Sequence, residues 1–292
     1  MTLPTSETTT TLQQKLWYGQ VPVVFSLYAP DVTTLHAPRP FYAMIPRMSY
    51  LVTQTRQVIE YFRDAAPPIT GLPGNCIWFE SQGRALKWHL PCGLLFDMSH
   101  PDGASAMLPW HIVVHFSGFP ADELLPCENE QAVEMHFMHT LKQATFLRTG
   151  TTKVIMGMPE IQQTQIWTSI LQNDFATYHT ATRDLQLALP SGPSAPASNS
   201  VRLLPVRFHL TGEPVVQMPI TPYDPDEPKR LRTLQDVVVT LLPDLFDVPA
   251  PSPPRVIAHG LSVPLDVPIL ALYQAFAYPD GYLHLFIPSV NA

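Results

Sequence analysis

Charge is scarce in this chain. Asp, Glu, Lys and Arg together make up 14% of 292 residues, against 46% for hydrophobic side chains. Material for packed cores is therefore ample, and solvated surface is in short supply, a balance that favours stable partners covering part of the outside. Lysine occurs only at Lys15, Lys87, Lys142, Lys153 and Lys229, and no basic cluster runs longer than Lys229-Arg230 in a chain of net charge −7. That excludes the electrostatic footprint of a nucleic-acid binder. Apolar runs as long as about 18 residues are also missing, and the opening MTLPTSETTTT is polar where a secretory leader has a basic start and an apolar core. A soluble, cytoplasmic protein is expected. The cysteines are few, Cys76, Cys92 and Cys127, and their odd number and unrelated spacings suit reduced thiols better than a disulfide framework.

Catalytic signatures are equally lacking. There is no Gly-x-Ser-x-Gly elbow, no Walker phosphate loop and no dinucleotide fingerprint, so neither an active site nor a cofactor is expected. Cys92, in Leu-Pro-Cys-Gly with His89 nearby, has the composition of an activated thiol, but no acid stands by to orient the base. A thiol enzyme using Cys92 stays a remote alternative to a buried structural thiol. His136 and His139 are three apart on a predicted helix, a spacing that can offer two metal ligands. No carboxylate or cysteine shares their turn and Glu134 points elsewhere, so no metal is expected.

What the chain does have is proline: 33 residues, more than twice the usual share of about 5%. That predicts many abrupt reversals and argues against an all-helical bundle. The Thr-rich start reads as a disordered tail over 1–14. Next come β-like runs at Val21–Tyr28 and Phe41–Ile45, a helical pattern over Ser49–Ala65, and further β-like runs at Ile77–Glu80 and Ile112–Phe116. Two strands, a helix and more strands match a ubiquitin-like β-grasp domain over 15–120. Glu130–Arg148 lacks Gly and Pro and carries Val133, Phe137, Leu141 and Ala144 on one helical face. Further helical patterns at Ile161–Leu171 and Asn173–Leu189 complete a helix-rich domain over 121–189. The segment PSGPSAPASNS reads as a linker over 190–200. The strand and helix order then returns over 201–292: strands at Leu203–Leu210 and Val215–Ile220, and a helix at Leu234–Leu242 with Thr233 and Asp236 placed as a cap. A strand at Arg255–His259, a helix at Ile269–Phe276 and a strand at Tyr282–Ile287 follow. The expected class is α+β, with two ubiquitin-like β-grasp domains flanking a helix-rich domain.

Lys142 stands apart as the one lysine in the middle of a helical pattern. At about 100° per residue it points nearly opposite the Val133-Phe137-Leu141-Ala144 stripe, so the stripe can be buried while the amine stays accessible. Its neighbours three and four residues away are His139, Met138, Thr145 and Phe146, none a carboxylate that would hold the ammonium in an ion pair. Met135, Met138 and Phe146 put apolar surface around it, which is unusual for an outward helix face. Two readings stand level: a partner covers that surface, or it packs on the chain's own N-terminal domain while Lys142 snorkels out.

The segments KLWYGQVPVVFSLY, PRMSYL, IWFESQGRALKWHLPCGLLFD, LPWHIVVHF and MHFMHTLKQA resemble the autophagy protein 5 family. IWTSILQND, TLQDVV, VIAHG and YPDGYLHL are similar in order and texture. The resemblance implies a non-enzymatic scaffold with two ubiquitin-like domains around a helix-rich middle. It also implies that Lys142, in the context His136-Phe137-Met138-His139-Thr140-Leu141-Lys142, accepts the C-terminal glycine of autophagy protein 12 through an isopeptide bond. Met135, Met138, His139 and Phe146 are then candidate modifier contacts. It further implies non-covalent binding of autophagy protein 16, engagement of the conjugating enzymes of both autophagy ubiquitin-like systems, ligase-like promotion of the lipidation of the ubiquitin-like protein 8, and peripheral contact with the preautophagosomal membrane. The residues alone leave open a scaffold that binds its modifier without a covalent bond.

Overall fold

The computed structural model describes residues 6–68, 77–100, 108–127, 129–186, 203–246 and 254–288. Residues 190–200 of the expected linker and Cys76 lie outside them. The chain divides into two compact units, one spanning Gly19–His136 and the other joining the N-terminal helix to the chain from Phe137 onward.

The Gly19–His136 unit is built on a five-stranded sheet. In chain order its strands are β1 (Gln20–Leu27), β2 (Phe41–Pro46), β3 (Trp78–Ser81), β4 (Arg84–Ala85) and β5 (Trp110–His115), arranged β2-β1-β5-β3-β4. The two central strands, β1 and β5, run parallel, with Phe25 opposite Ile112. The strand period of two explains which side packs: Trp110, Ile112 and Val114 are buried while His111 is exposed. Phe25, Phe62, Phe79 and Phe96 fill the covered side. Across from them, His115 is sandwiched between Trp78 (3.7 Å between centroids, stacked) and Tyr28 (4.2 Å).

The helix expected over Ser49–Ala65 is broken into Leu51–Gln54 (α2) and Arg56–Phe62 (α3). The hydroxyls of Thr53 and Thr55 donate to the carbonyls of Tyr50 and Val52, three residues back, and compete with the helical ladder. A further helix, α4 (Cys92–Ser99), forms where the sequence showed no periodicity. Its residues Cys92 to Asp97 are all buried, so it has no polar side to betray it. Gly93 is required there, because a Cβ would stand 2.8 Å from Arg47 Cβ, and its N–H donates to Arg47 O at 2.8 Å. Arg47 Nη2 in turn donates to both carboxylate oxygens of Asp97, at 2.6 and 2.7 Å.

The second unit begins with a correction. The expected disordered tail over 1–14 is instead occupied from Ser6 by α1 (Ser6–Trp17). Thr-rich sequence has weak intrinsic helicity, and tertiary anchoring overrides it. Trp17, 3% exposed, packs on Tyr178 at 4.6 Å and Phe175 at 5.8 Å, and Gln13 Nε2 donates to Gln274 O at 2.7 Å. The long helix α5 (Glu130–Thr149) crosses the division between the units. It is followed by α6 (Lys153–Met156), α7 (Glu160–Leu171) and α8 (Phe175–Ala181), with a 3₁₀ turn at Arg183–Leu185. Where the sequence suggested one helix over Asn173–Leu189, Thr182 closes α8, and 187–189 lie outside the described residues.

The C-terminal sheet contains β6 (Leu204–Leu210), β7 (Val216–Ile220), β8 (Val256–Ala258), β9 (Leu261–Val263) and β10 (Leu283–Ile287) in the order β7-β6-β10-β8-β9. This is the same topology as the first sheet, again with its two central strands parallel. One β-grasp architecture thus occurs twice, around helical segments. Leu204, Val206, Phe208, Leu283, Leu285 and Ile287 pack against α9 (Leu234–Leu241) and α11 (Ile269–Phe276); a short helix, α10 (Pro243–Phe246), follows α9. The expected cap of α9 is a full capping box: Thr233 Oγ1 accepts from Asp236 N at 3.2 Å, and Asp236 Oδ2 accepts from Thr233 N at 2.8 Å. On the opposite side of this sheet, His209, His284 and Phe286 are also buried. His284 Nε2 lies 3.0 Å from Asp280 Oδ2, and His284 Nδ1 lies 2.9 Å from His209 Nε2. Burial pushes the Asp280 carboxyl up, but the His284 imidazole, the Arg207 guanidinium and the Tyr282 amide together outweigh it and hold the group below its ordinary range.

Candidate functional site

Helix α5 is the scaffold of the site. Asn129 caps its start, accepting Ala132 N at 2.9 Å, and its twenty residues contain neither Gly nor Pro. Val133, Phe137, Leu141 and Ala144 are each 2% exposed or less. Phe137 meets Trp167 of α7 at 5.5 Å. Near its end Arg148 is buried and donates to Leu185 O at 2.7 Å, which ties the helix to the 3₁₀ turn. On the same side, a Cβ built on Gly281 would stand 2.8 Å from Ala144 Cβ, so α5 presses directly on the turn before β10.

The buried face reaches farther round the helix than the apolar stripe suggested, past Thr145 (1% exposed) to Met138 (9%). Met138 therefore leaves the set of outward apolar groups expected around Lys142. The outward line that remains is Met135 (55% exposed), His139 (exposed), Lys142 (half-buried) and Phe146 (53%). These follow the i, i+4, i+7, i+11 spacing of a single helical stripe. Among the described residues Lys142 makes no ion pair or hydrogen bond, and Thr145 Oγ1 is committed to Leu141 O at 2.8 Å. The stripe is a primary amine between two exposed apolar side chains, with one imidazole beside it. It can present a nucleophile to a partner, and it can bind apolar surface.

The two α5 histidines part company. His136 packs with Trp88 (5.6 Å) and His89 (5.1 Å), and Trp88 Nε1 donates to Leu125 O at 2.9 Å, while His139 stays on the outward line. That ring cluster was not foreseen, since nothing in the sequence links LKWHLP to α5. No group of three or more His, Cys, Asp or Glu among the described residues is arranged to hold a metal ion.

Cys92 does not fit a nucleophile. It is fully buried, and burial pushes its thiol up to about 12, against weaker lowering by the Ser49 hydroxyl at 3.7 Å; nucleophilic attack needs the thiolate. Iodoacetamide at neutral pH is therefore expected to modify half-exposed Cys127 and leave Cys92 untouched until the chain is denatured, as read by peptide mass spectrometry. Rapid modification of Cys92 in the folded protein would contradict this burial.

Comparison with known proteins bears on the whole chain. Three family models match it: "Autophagy protein ATG5, UblA domain" over residues 16–116, "alpha-helical bundle region" over 130–187 and "UblB domain" over 203–287. The protein named autophagy protein 5 of Neosartorya fischeri is 30% identical over 94% of this chain and 94% of its own length. That of Phaeosphaeria nodorum is 28% identical over 96% of this chain and 97% of its own. The crystal structure of Kluyveromyces marxianus Atg5 superposes with a TM-score of 0.76 at 21% identity, covering 95% of this chain and 99% of that one. No helix among the described residues is long and apolar enough to cross a membrane.

Proposed function

The chain belongs to the autophagy protein 5 family, and from this premise we propose that it serves autophagy as the acceptor of a ubiquitin-like modifier at Lys142. The modifier is autophagy protein 12, and its C-terminal glycine forms an isopeptide bond with the Lys142 amine. The observation that carries this reading is the Met135-His139-Lys142-Phe146 line: an amine with no ion pair among the described residues, at the centre of an outward stripe, with exposed apolar side chains above and below it. Such side chains give a docking protein something to bury, and no carboxylate among the described residues holds the amine back from reaction.

The chemistry is aminolysis. A conjugating enzyme delivers the modifier as a thioester, the neutral amine attacks the carbonyl carbon, the C–N bond forms, the C–S bond breaks to release the enzyme's thiolate, and the nitrogen gives up a proton. The chain contributes the nucleophile and its setting. The conjugate, with autophagy protein 16 bound non-covalently, then promotes lipidation of the ubiquitin-like protein 8 by the second conjugating enzyme, in the cytoplasm and at the preautophagosomal membrane, with peripheral membrane contact.

Exposure of Met135 and Phe146 also supports a second reading, in which the same stripe binds the modifier without a covalent bond. Reconstitution with autophagy protein 12 and its activating and conjugating enzymes separates the two. A species of summed mass that survives a denaturing gel is expected. Co-purification without that species would replace the covalent reading by the non-covalent one, and absence of both would overturn the proposal.

A further inference from the structure

Attack by an amine on a thioester requires a proton acceptor, because the amine must be neutral to attack and the adduct must lose a further proton to yield the amide. Helix α5 itself offers one candidate beside Lys142. Helix neighbours three and four residues apart lie about 5–6 Å apart at Cβ, which limits the choice to Met138, His139, Thr145 and Phe146. Met138 and Phe146 carry no basic atom. The Thr145 hydroxyl is buried and already donates to Leu141 O at 2.8 Å. His139 is exposed, and among the described residues neither of its ring nitrogens makes a hydrogen bond or ion pair with any element. On α5 the nearest titratable groups to it are Lys142 and His136, and His136 is engaged with the rings of Trp88 and His89.

Direction favours the same residue. Side chains on an α-helix lean toward its N-terminus, so a long side chain covers the turn before its own Cα. Lys142 therefore reaches back over the turn that holds His139 and away from Phe146. Met135, one turn before His139 and 55% exposed, continues the apolar surface on that side; when a partner covers it, water is displaced from around both the amine and the imidazole.

We propose that His139 is a catalytic residue of the acceptor itself, taking the proton released by Lys142 as the isopeptide bond forms. The inference rests on the reading of Lys142 as acceptor. The amine lone pair attacks the thioester carbon, the proton passes to an unprotonated ring nitrogen of His139, and the C–S bond breaks to release the thiolate of the conjugating enzyme. The imidazole then returns its proton to that thiolate or to solvent. The chain thereby supplies part of the reaction's base chemistry as well as its nucleophile.

The test is single-turnover transfer of a ubiquitin-like modifier from its preloaded conjugating enzyme to the full-length chain, with Lys142-linked product measured by mass spectrometry between pH 6 and 9. His139→Gln keeps a polar side chain that takes no proton, and its outward position makes it a mild change for the fold, checked by an unchanged thermal midpoint. Transfer to the variant is expected to be slower by about 10²-fold near neutral pH. The deficit should narrow toward pH 9 as solvent hydroxide takes over, and added imidazole should restore part of the rate. Equal rates and equal pH profiles for wild type and His139→Gln, with product still at Lys142, would overturn the role of His139 while leaving the acceptor reading intact. Absence of Lys142-linked product from the wild type would remove the acceptor reading, and this inference with it.

Discussion

Asp97→Ala is expected to cost about 3–5 kcal/mol of stability. Both partners of its ion pair are withdrawn from water, with side-chain exposures of 11% for Arg47 and 2% for Asp97. Removing the carboxylate leaves a guanidinium 5.7 Å from the centroid of the Phe96 ring, still donating to Gly93 O at 3.1 Å. The large effect comes from taking away the carboxylate that faces a largely buried guanidinium, not from a large net worth of the pair itself. Arg56–Glu60 is the control. It is an i,i+4 pair at 3.7 Å with side chains 81% and 52% exposed, so Glu60→Ala should change stability by only about 0.5 kcal/mol or less. Urea unfolding at an unchanged slope reads both values. A small effect of Asp97→Ala would mean that Arg47 finds water, and that the Arg47–Asp97 pair does not lock α4 to the chain just after β2.

Gly281→Ala is expected to be the second severe change, at about 2–5 kcal/mol from two separate sources. Gly281 has φ of +82°, a left-handed conformation in which a side chain costs about 1–2 kcal/mol. Its Cβ would also fall 2.8 Å from Ala144 Cβ and 3.3 Å from Leu141 Cδ1, forcing α5 and the turn apart at a further cost of about 1–3 kcal/mol. Gly212, at φ +79° with open space around it, isolates the first source. Gly212→Ala should therefore lose only the conformational part, and the difference between the two variants measures how tightly α5 is seated. Equal losses would show that the contact at Ala144 relaxes freely.

Much of this architecture is written in local sequence. The β-like run read at Ile112–Phe116 overlaps β5, where Ile112 and Val114 are buried, and the Thr233–Asp236 pair announces a capping box that forms in full. Helix α5 runs from Glu130 to Thr149 against an expected Glu130–Arg148, because a run free of Gly and Pro with one continuous apolar stripe has few alternatives. What stayed hidden depends on partners distant in the chain. The helix α1 owes its existence to Trp17 meeting Phe175 and Tyr178, and no local feature of TTTTLQQK reports that. The helix α4 is buried all round from Cys92 to Asp97 and so lacks the amphipathic signature. At the candidate site the wheel placed Lys142 opposite the Leu141 stripe, where it is half-buried, with Met135, His139 and Phe146 exposed. It could not show that the packing beside Thr145 extends to Met138. Periodicity gives the centre of a buried face, while the width of that face is decided by what packs on it.

The most direct measurement is mass spectrometry of the reconstituted conjugate after proteolysis, with wild type and Lys142→Arg in parallel. The account predicts a glycine-branched peptide at Lys142 in the wild type and complete loss of the conjugate in Lys142→Arg, which keeps the charge but cannot act as the primary-amine nucleophile. A branch at Lys15, Lys87, Lys153 or Lys229 instead, or undiminished conjugation of the arginine variant, would contradict it.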